Sequence, residues 1–162
     1  MIKFKNRLFW IVAVLSLGID RLTKLWVVES FKLGESWPII KGFFHFTYVT
    51  NPGAAFSLFS QGGGWLRWLS LAVSLAIMTY AWFGPRLNRW EQFGFGFILG
   101  GALGNGIDRF LTGEVVDFLD FRLIRFPVFN FADVFINIGI VCLLWVAFKQ
   151  PPAARKDEGE IR

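Results

Sequence analysis

The chain is 54% hydrophobic and 19% aromatic, with a mean hydropathy of +0.49, and is therefore more apolar than an ordinary soluble domain requires. Its length of 162 residues leaves room for one domain. The formal net charge of +5 does not indicate nucleic-acid binding, because the basic residues recur between apolar segments and form no dense run. The single cysteine, Cys142, excludes an internal disulfide and a Cys-x-x-Cys metal site. Composition therefore predicts an integral membrane protein with no nucleic-acid partner.

Four apolar segments are long enough to be membrane-spanning helices. Each approaches the roughly 20 residues that a helix needs to cross about 30 Å of hydrocarbon. They cover about residues 8–28, 65–83, 93–110 and 133–148. The predicted fold class is therefore an all-α membrane bundle of four transmembrane helices, in which residues 1–149 form a single integral membrane domain.

The first segment does not have the pattern of a cleaved signal peptide. Its start is basic, but Asp20, Arg21 and Lys24 stand where a secretory signal would carry small residues for cleavage. The segment is therefore predicted to stay as a helix. Because Asp20 and Lys24 are four residues apart, they share a helix face and can pair. A structural salt bridge and a contact with substrate remain alternatives for this pair.

The distribution of basic residues predicts that both termini are cytoplasmic. In that orientation nine basic residues lie inside and five outside, as the positive-inside rule favours. The inner ones are Lys3, Lys5, Arg7, Arg86, Arg89, Lys149, Arg155, Lys156 and Arg162, and the outer ones are Lys32, Lys41, Arg67, Arg122 and Arg125. The loops at about residues 29–64 and 111–132 are then extracytoplasmic. Residues 150–162 form a charged, proline-containing cytoplasmic tail that is predicted to be disordered.

The first outer loop is predicted to contain a small extracytoplasmic β-sheet element that lies on the membrane surface. Residues 43–50 are rich in aromatic and β-branched side chains and indicate a strand. Residues 54–59 are expected to return against it across a turn at residues 51–53. With no cysteine or second histidine nearby, His45 is interpreted as a strand-surface residue without a catalytic role.

The third apolar segment carries glycine at every fourth position. On a helix this spacing makes a groove that another backbone can approach closely, so close packing is its expected role. The glycines are Gly96, Gly100 and Gly104. A tightly packed third helix is expected to hold three polar side chains at its outer end, with little freedom to move: Asn105, Asp108 and Arg109.

Two aspartates, Asp117 and Asp133, lie sixteen positions apart in this apolar chain. Near lipid an ionisable side chain tends to be retained only if it is paired or used, so the two acids together suggest one functional site. Two carboxylates held close together cannot both ionise cheaply, and one proton is then shared. The charged member can activate water while the protonated one donates a hydrogen bond to a carbonyl.

Five stretches of the chain together resemble a known family. They are Asp20-x-x-Thr23-Lys24, Asn51-x-Gly53-Ala54-Ala55-Phe56, Gly104-Asn105-x-x-Asp108-Arg109, Val115-Val116-Asp117-Phe118 and Phe129-Asn130-x-Ala132-Asp133. In this order, and with four predicted spans, they resemble lipoprotein signal peptidase, also called signal peptidase II. The resemblance covers nearly all of the chain except its tail, and no motif position departs from the family pattern.

The resemblance implies an aspartyl protease of the bacterial inner membrane. The family cuts prolipoproteins on the N-terminal side of the diacylglyceryl-modified lipobox cysteine, and Asp117 and Asp133 match its catalytic pair. It implies that no cofactor and no metal are needed. The implied partners are these prolipoprotein substrates and membrane lipid, and inhibition by cyclic peptides of the globomycin type is expected.

The other motif residues are expected to support this site. Arg109 and Asn51 are suited to gripping substrate backbone carbonyls, and Asn130 and Asn105 to orienting the aspartates. Asp108 is expected to pair with a cation, holding Arg109 or a neighbouring loop. The remaining motif positions assigned to the site are Gly53, Ala132, Asp20 and Lys24.

The main alternative is a small membrane transporter subunit that couples to protons or cations. The acids of the chain would suit such a relay, but they lie toward one face, whereas a transport path needs polar groups near or across the midplane. A structural scaffold that assembles membrane partners through the glycines is a third possibility, and it leaves the clustered polar residues unexplained. Asp120 and Glu114 fall in no motif and are interpreted as loop-surface charges.

Overall fold

A computed structural model describes residues 5–53, 63–124 and 126–149 of the chain. Within these ranges the protein has four α-helices and a three-stranded sheet. The helices are α1 (Arg7–Ser30), α2 (Leu66–Phe83), α3 (Arg89–Leu111) and α4 (Phe131–Lys149), and a 3₁₀ turn at Gly63–Trp65 precedes α2. The strands are β1 (Ser36–Ile40), β2 (Phe44–Asn51) and β3 (Val115–Phe121). The predicted tail lies outside the described residues.

Each of the four predicted segments corresponds to one of these helices. The largest difference is at α3, which begins at Arg89 and not at residue 93. The side chain of Asn88 accepts a hydrogen bond from the backbone N–H of Glu91 at 2.9 Å. The Glu91 side chain accepts one from the backbone N–H of Asn88 at 2.7 Å. This reciprocal cap starts the helix one turn before the apolar pattern does.

Among the described helices, α2 and α4 are long and apolar enough to cross a membrane, as judged by length and composition. Helix α1 carries Asp20, Arg21 and Lys24, and α3 is rich in glycine, which makes both less uniformly apolar. The predicted four helices are therefore present. The prediction that all four of them cross the membrane stays a prediction.

Helix α3 packs against each of the other three helices. Its predicted glycine row faces α1 at very short range. A Cβ atom added to Gly96 would lie 2.8 Å from the backbone oxygen of Phe9, and one added to Gly100 would lie 2.8 Å from that of Ala13. No side chain fits at such a distance, so the prediction of close packing is confirmed.

A second pair of glycines brings α4 against another face of α3. A Cβ atom on Gly94 would lie 3.0 Å from the backbone oxygen of Gly139, and one on Gly139 would lie 3.1 Å from the backbone nitrogen of Ile98. Because small residues allow this close approach, α3 holds both α1 and α4 along its length. The ends of these helices that carry the motif residues are thereby held beside one another.

The sheet is antiparallel, with β2 in the middle between β1 and β3. Strand β2 confirms the strand that the aromatic and β-branched pattern predicted. Residues 54–59, expected to return against it, lie outside the described residues. Both strands that pair with β2 were missed, because β1 contains Pro38 and β3 contains two acids, features that usually argue against a strand.

Apolar packing joins the sheet to the end of α1. Val27 of α1 and Phe31, which directly follows that helix, form a buried cluster with Phe118 and Leu119 of β3. Burying side chains of this size stabilises each by roughly 1.5–3 kcal/mol. Phe118 and Leu119, the two residues after Asp117, therefore hold β3 against the end of α1. This packing fixes the position of Asp117.

Candidate active site

Asp117 and Asp133 line the same cavity, which has a volume of about 300 Å³. Asp117 lies in β3, where it pairs with Val49 of β2, and its side chain is only 3% exposed. Asp133 lies in the first turn of α4. The cavity also has amide and guanidinium groups in its wall, and an apolar side formed mainly by residues 126–129. The fold thus brings together two acids that are sixteen residues apart in the chain.

Asn130 connects the two aspartates. Its side-chain Nδ2 donates a hydrogen bond to Oδ1 of Asp117 at 2.6 Å. Its Oδ1 accepts one from the backbone N–H of Asp133 at 3.1 Å, and its own backbone N–H donates to Oδ2 of Asp133 at 3.2 Å. Asn130 is fully buried. A single buried side chain therefore sets the position of one carboxyl group relative to the other.

Asn105 approaches Asp133 from α3. Its Nδ2 donates to Oδ1 of Asp133 at 2.9 Å, while its Oδ1 accepts from Nζ of Lys24 at 2.8 Å. Because an ammonium group can only donate, Lys24 determines which end of the Asn105 amide faces it. The N–H end is then directed at Asp133.

Lys24 is itself buried among acids. It is 1% exposed and forms ion pairs with Asp20 at 3.0 Å and with Asp108 at 2.8 Å. The predicted pairing of Asp20 with Lys24 is thereby confirmed. The second oxygen of Asp20 accepts a hydrogen bond from the backbone N–H of Ala132 at 2.9 Å. This bond satisfies one of the free N–H groups at the start of α4, so the ion pair also ties α1 to α4.

Asp108 does pair with cations, as expected, but the expected partner was wrong. Its carboxylate pairs with Lys24 and with Arg21, both from α1, and not with Arg109. The close approach of α1 along the glycine row brings these cations to Asp108. Arg109 is the next residue in the helix, about 100° further around the axis, and it faces the cavity instead.

Asn51 and Arg109 complete the polar part of the wall. The Asn51 Nδ2 donates to Oδ2 of Asp117 at 3.1 Å, and its Oδ1 accepts from the backbone N–H of Gly53 at 3.0 Å. The Arg109 Nη2 donates to the Gly53 backbone oxygen at 3.1 Å. In the structure the Asn51 amide binds Asp117, and the expected contact of Asn51 with substrate stays a prediction. Gly53, assigned to the site by its motif, holds both side chains through its backbone.

Burial of Asp117 sets its acidity. Removal of the carboxyl group from water raises the pKa of Asp117 to about 7, and the nearby charge of Asp133 acts in the same direction. Hydrogen bonds from Asn51 and Asn130 oppose this rise without cancelling it. Asp117 therefore titrates near neutral pH, where an acid with an ordinary pKa would be fully ionised.

A family model described as Signal peptidase (SPase) II matches residues 12–149. The chain belongs to the signal peptidase II family. The lipoprotein signal peptidase of Cyanothece sp. (strain PCC 7425 / ATCC 29141) is 65% identical over 158 residues, which are 96% of this chain and 91% of that relative. The one from Thermosynechococcus vestitus (strain NIES-2133 / IAM M-273 / BP-1) is 68% identical over 149 residues, 90% of this chain and 94% of that relative.

Two solved structures, each described as a bacterial membrane enzyme, are similar to this signal peptidase II chain. One has a TM-score of 0.80 at 31% identity, covering 94% of this chain and 93% of the other. The second has a TM-score of 0.77, also at 31% identity, covering 87% of this chain and 92% of the other. The family consists of membrane-bound aspartic endopeptidases that act on prolipoproteins. These comparisons give no support to the transporter alternative.

One acid and one histidine beside the site are placed differently from what the sequence predicted. Asp120 is not a loop-surface charge: it lies in β3, is 9% exposed, and accepts a hydrogen bond from Thr47 at 2.7 Å. His45 is not on the surface either, since it is 8% exposed and pairs with Asp120 across β2 and β3. Both errors arise because β3 was interpreted as a loop. Glu114 does lie in the bend before β3, as expected.

Sequence reasoning assigned no role at the signal peptidase II site to two polar residues that the structure places in or beside it. Arg21 reaches Asp108, and Asn137 lines the cavity one turn beyond Asp133. The available signal was the same for both, a polar side chain within an apolar segment. Among the described residues, no group of three or more His, Cys, Asp or Glu side chains is arranged to hold a metal ion.

Proposed function

We propose that Asp117 and Asp133 are the catalytic pair of this signal peptidase II family member. The observation that carries the proposal is the arrangement of two acids in one cavity, held together by the buried side chain of Asn130. The reaction is hydrolysis of the prolipoprotein chain on the N-terminal side of the diacylglyceryl-modified cysteine. The released products are the signal peptide and a lipoprotein whose N-terminal residue is that cysteine.

The two carboxyl groups share one proton during the reaction. The ionised member removes a proton from a water molecule, and the oxygen of that water attacks the scissile carbonyl carbon. The protonated member donates a hydrogen bond to the carbonyl oxygen, on which negative charge develops. Proton transfer to the leaving nitrogen then breaks the C–N bond and returns the pair to its starting state. The elevated pKa of Asp117 supports a carboxyl group that is still protonated near neutral pH.

Arg109 is proposed to hold the substrate backbone beside this pair. Its guanidinium lines the cavity while one of its N–H groups is used on Gly53. A guanidinium has five N–H donors, so several are available for carbonyl oxygens of an extended peptide. Asn51, Asn105 and Asn130 are proposed to orient the carboxyl groups through the hydrogen bonds described above.

All four helices are proposed to cross the bacterial inner membrane, with both termini cytoplasmic. Residues 1–149 form the membrane domain, and residues 150–162 form the cytoplasmic tail. In this orientation the start of α4 and the sheet lie at the extracytoplasmic face. The burial of Asp20, Lys24 and Asp108 against one another supports a membrane position for α1 and α3, because paired charges are tolerated there. Inhibition by cyclic peptides of the globomycin type is part of the proposal, and no cofactor is required.

Asparagine substitution tests the pair directly. Asp117→Asn and Asp133→Asn are each expected to lower kcat at least about a thousandfold, since neither amide can hold or take the shared proton. The measurement is cleavage of a synthetic diacylglyceryl prolipoprotein peptide by purified full-length enzyme. Asp120→Asn is the matched control, because it removes a buried acid from the same strand and should leave kcat within about twofold of the parent. Near-parental cleavage by either dyad variant would show that the assignment is wrong.

A further inference from the structure

Asn137 places an amide on an exposed surface of α4, at the edge of the catalytic cavity. It follows Asp133 by one helical turn, about 6 Å along the axis toward the inner end of the helix. Its neighbours Ile138 and Val141 are apolar and exposed, as lipid-facing residues are. A polar side chain at such a place is unfavourable in hydrocarbon unless a partner satisfies it. The position therefore suggests a binding role.

The amide is oriented by the helix itself. Its Nδ2 donates to the backbone oxygen of Asp133 at 2.8 Å. Within the described part of the chain, the structure shows no other hydrogen bond of this side chain. One N–H and the side-chain oxygen of Asn137 are thus available at the cavity edge, held in place by the bond to Asp133.

We propose that Asn137 donates a hydrogen bond to an ester carbonyl of the diacylglyceryl group on the substrate cysteine. This inference rests on the proposed function, which places the scissile bond between Asp117 and Asp133. From that bond, the path to the ester groups runs through Cα, Cβ and the sulfur to the glyceryl carbons, a distance on the order of 6 Å. One helical turn from Asp133 to Asn137 spans the same distance.

The chemistry of the two groups is complementary. An ester carbonyl accepts hydrogen bonds and has no donor of its own, and lipid hydrocarbon offers it none. The N–H of Asn137 supplies that donor at the depth where the ester groups lie. An unmodified cysteine side chain ends at its sulfur and has no ester carbonyl to accept this hydrogen bond, so the contact favours the lipid-modified substrate.

The size of the cavity decides which part of the lipid enters it. A volume of about 300 Å³ is at the lower end of the range for small-molecule sites, which is about 300–1,000 Å³. Such a space takes peptide backbone and a glyceryl group but not two long acyl chains. The chains then lie outside, along the exposed apolar side chains of α4 such as Ile138 and Val141. Asn137 lies at the boundary between these two regions.

The test compares two synthetic substrates that differ only in the lipid linkage. One carries the natural diacyl esters and the other carries dialkyl ethers of equal chain length, which lack the carbonyl oxygens. For the ester substrate, Asn137→Leu is expected to raise KM about five- to tenfold with kcat within twofold. For the ether substrate, the variant and the parent are expected to have the same KM. Asn137→Gln, which keeps an amide, is expected to recover part of the affinity for the ester.

Two results would overturn the inference. If Asn137→Leu lowers kcat equally for both substrates, the side chain serves only to hold Asp133 through its backbone oxygen. If KM changes for neither substrate, the amide makes no contact with the lipid group. Leu15→Ile, at an exposed apolar position of α1 outside the cavity wall, controls for changes in the lipid-facing surface. Failure of the proposed catalytic pair is seen separately, as cleavage that persists in Asp117→Asn or Asp133→Asn.

Discussion

At the scale of single residues, the acidity of Asp117 determines the expected pH response of the enzyme. Burial raises its pKa to about 7, so its carboxyl group loses its proton as the solution passes neutrality. The mechanism needs one protonated and one ionised carboxyl group. We therefore expect kcat/KM to fall above about pH 7 and to fall again in acid, with apparent pKa values that belong to the pair. A pH profile of peptide cleavage measures this, and a flat profile from acid to alkali would contradict shared-proton chemistry.

The same shift affects stability in a defined direction. The pKa of Asp117 is higher in the folded protein than in the unfolded chain, so the folded state binds the proton more tightly. Its contribution to stability is fully present below about pH 4 and is lost as the pH rises through about 7. The Asp117→Asn variant has no carboxyl group at this position, so this pH-dependent contribution to stability is absent from it. We expect its unfolding temperature, relative to the parent, to increase between pH 4 and pH 8, and a pH-independent difference would count against the shift.

Lys24 illustrates how strongly a buried charge depends on its partners. Replacing it with methionine leaves Asp20 and Asp108 buried with less compensation, which typically destabilises a protein by about 3–5 kcal/mol. It also frees the Asn105 amide to rotate away from Asp133. We expect Lys24→Met to lower both the unfolding temperature and kcat. Lys32 is an exposed lysine in the loop after α1, so Lys32→Met should change neither the unfolding temperature nor kcat. If the two substitutions lower these quantities equally, the burial of Lys24 does not explain its effect.

At the scale of elements, the contact between α1 and α3 depends on the absence of side chains on one face of α3. A Cβ atom at Gly100 would meet Ser16 and the backbone of Ala13. We expect Gly100→Ala to destabilise the protein by about 1–3 kcal/mol and to reduce activity, because the helices must separate and carry Lys24 away from Asn105. Thermal unfolding and cleavage assays measure the two effects.

Gly18 provides the matched control for that substitution. It lies in α1, and a Cβ atom added there meets nothing within 4 Å. Gly18→Ala is therefore expected to be neutral or slightly stabilising, since alanine favours a helix over glycine. If Gly100→Ala is also neutral or stabilising, helix propensity and not interhelical distance explains the result.

The helices could be predicted from local pattern, whereas two of the three strands could not. Apolar runs identify α1 to α4 because a helix forms its backbone hydrogen bonds within one continuous segment and needs no partner strand from elsewhere in the chain. Strand β3 could not be recognised alone, since Asp117 and Asp120 give it no alternating apolar pattern. It becomes a strand because β2 supplies its hydrogen bonds and because Phe118 packs against α1. The burial of Asp120 and His45 follows from that pairing.

At the scale of the whole molecule, the proposed orientation can be tested by chemical labelling. In a Cys142→Ser background, which removes the single cysteine, a new cysteine at Lys41 is expected to react with an impermeant maleimide from the outside of intact cells. A cysteine at Arg86, between α2 and α3, is expected to react only after the membrane is opened. The reverse labelling pattern would show that the protein has the opposite orientation in the membrane. Labelling at both sites in intact cells would refute the proposed crossing of α2.

The amino-acid sequence by itself determined the helices, the close packing along the glycine row and the two aspartates, because apolar periodicity, small residues and motif spacing are local properties. It also carried the resemblance that the comparisons confirmed at the level of the family. Only the tertiary structure decided the partners of each polar group: Asp108 with Arg21 and Lys24, Asn51 with Asp117, and Asn130 between the aspartates. Hydrogen bonds and ion pairs act over about 3 Å, and side chains come within that range only through the packing of the helices and the pairing of the strands.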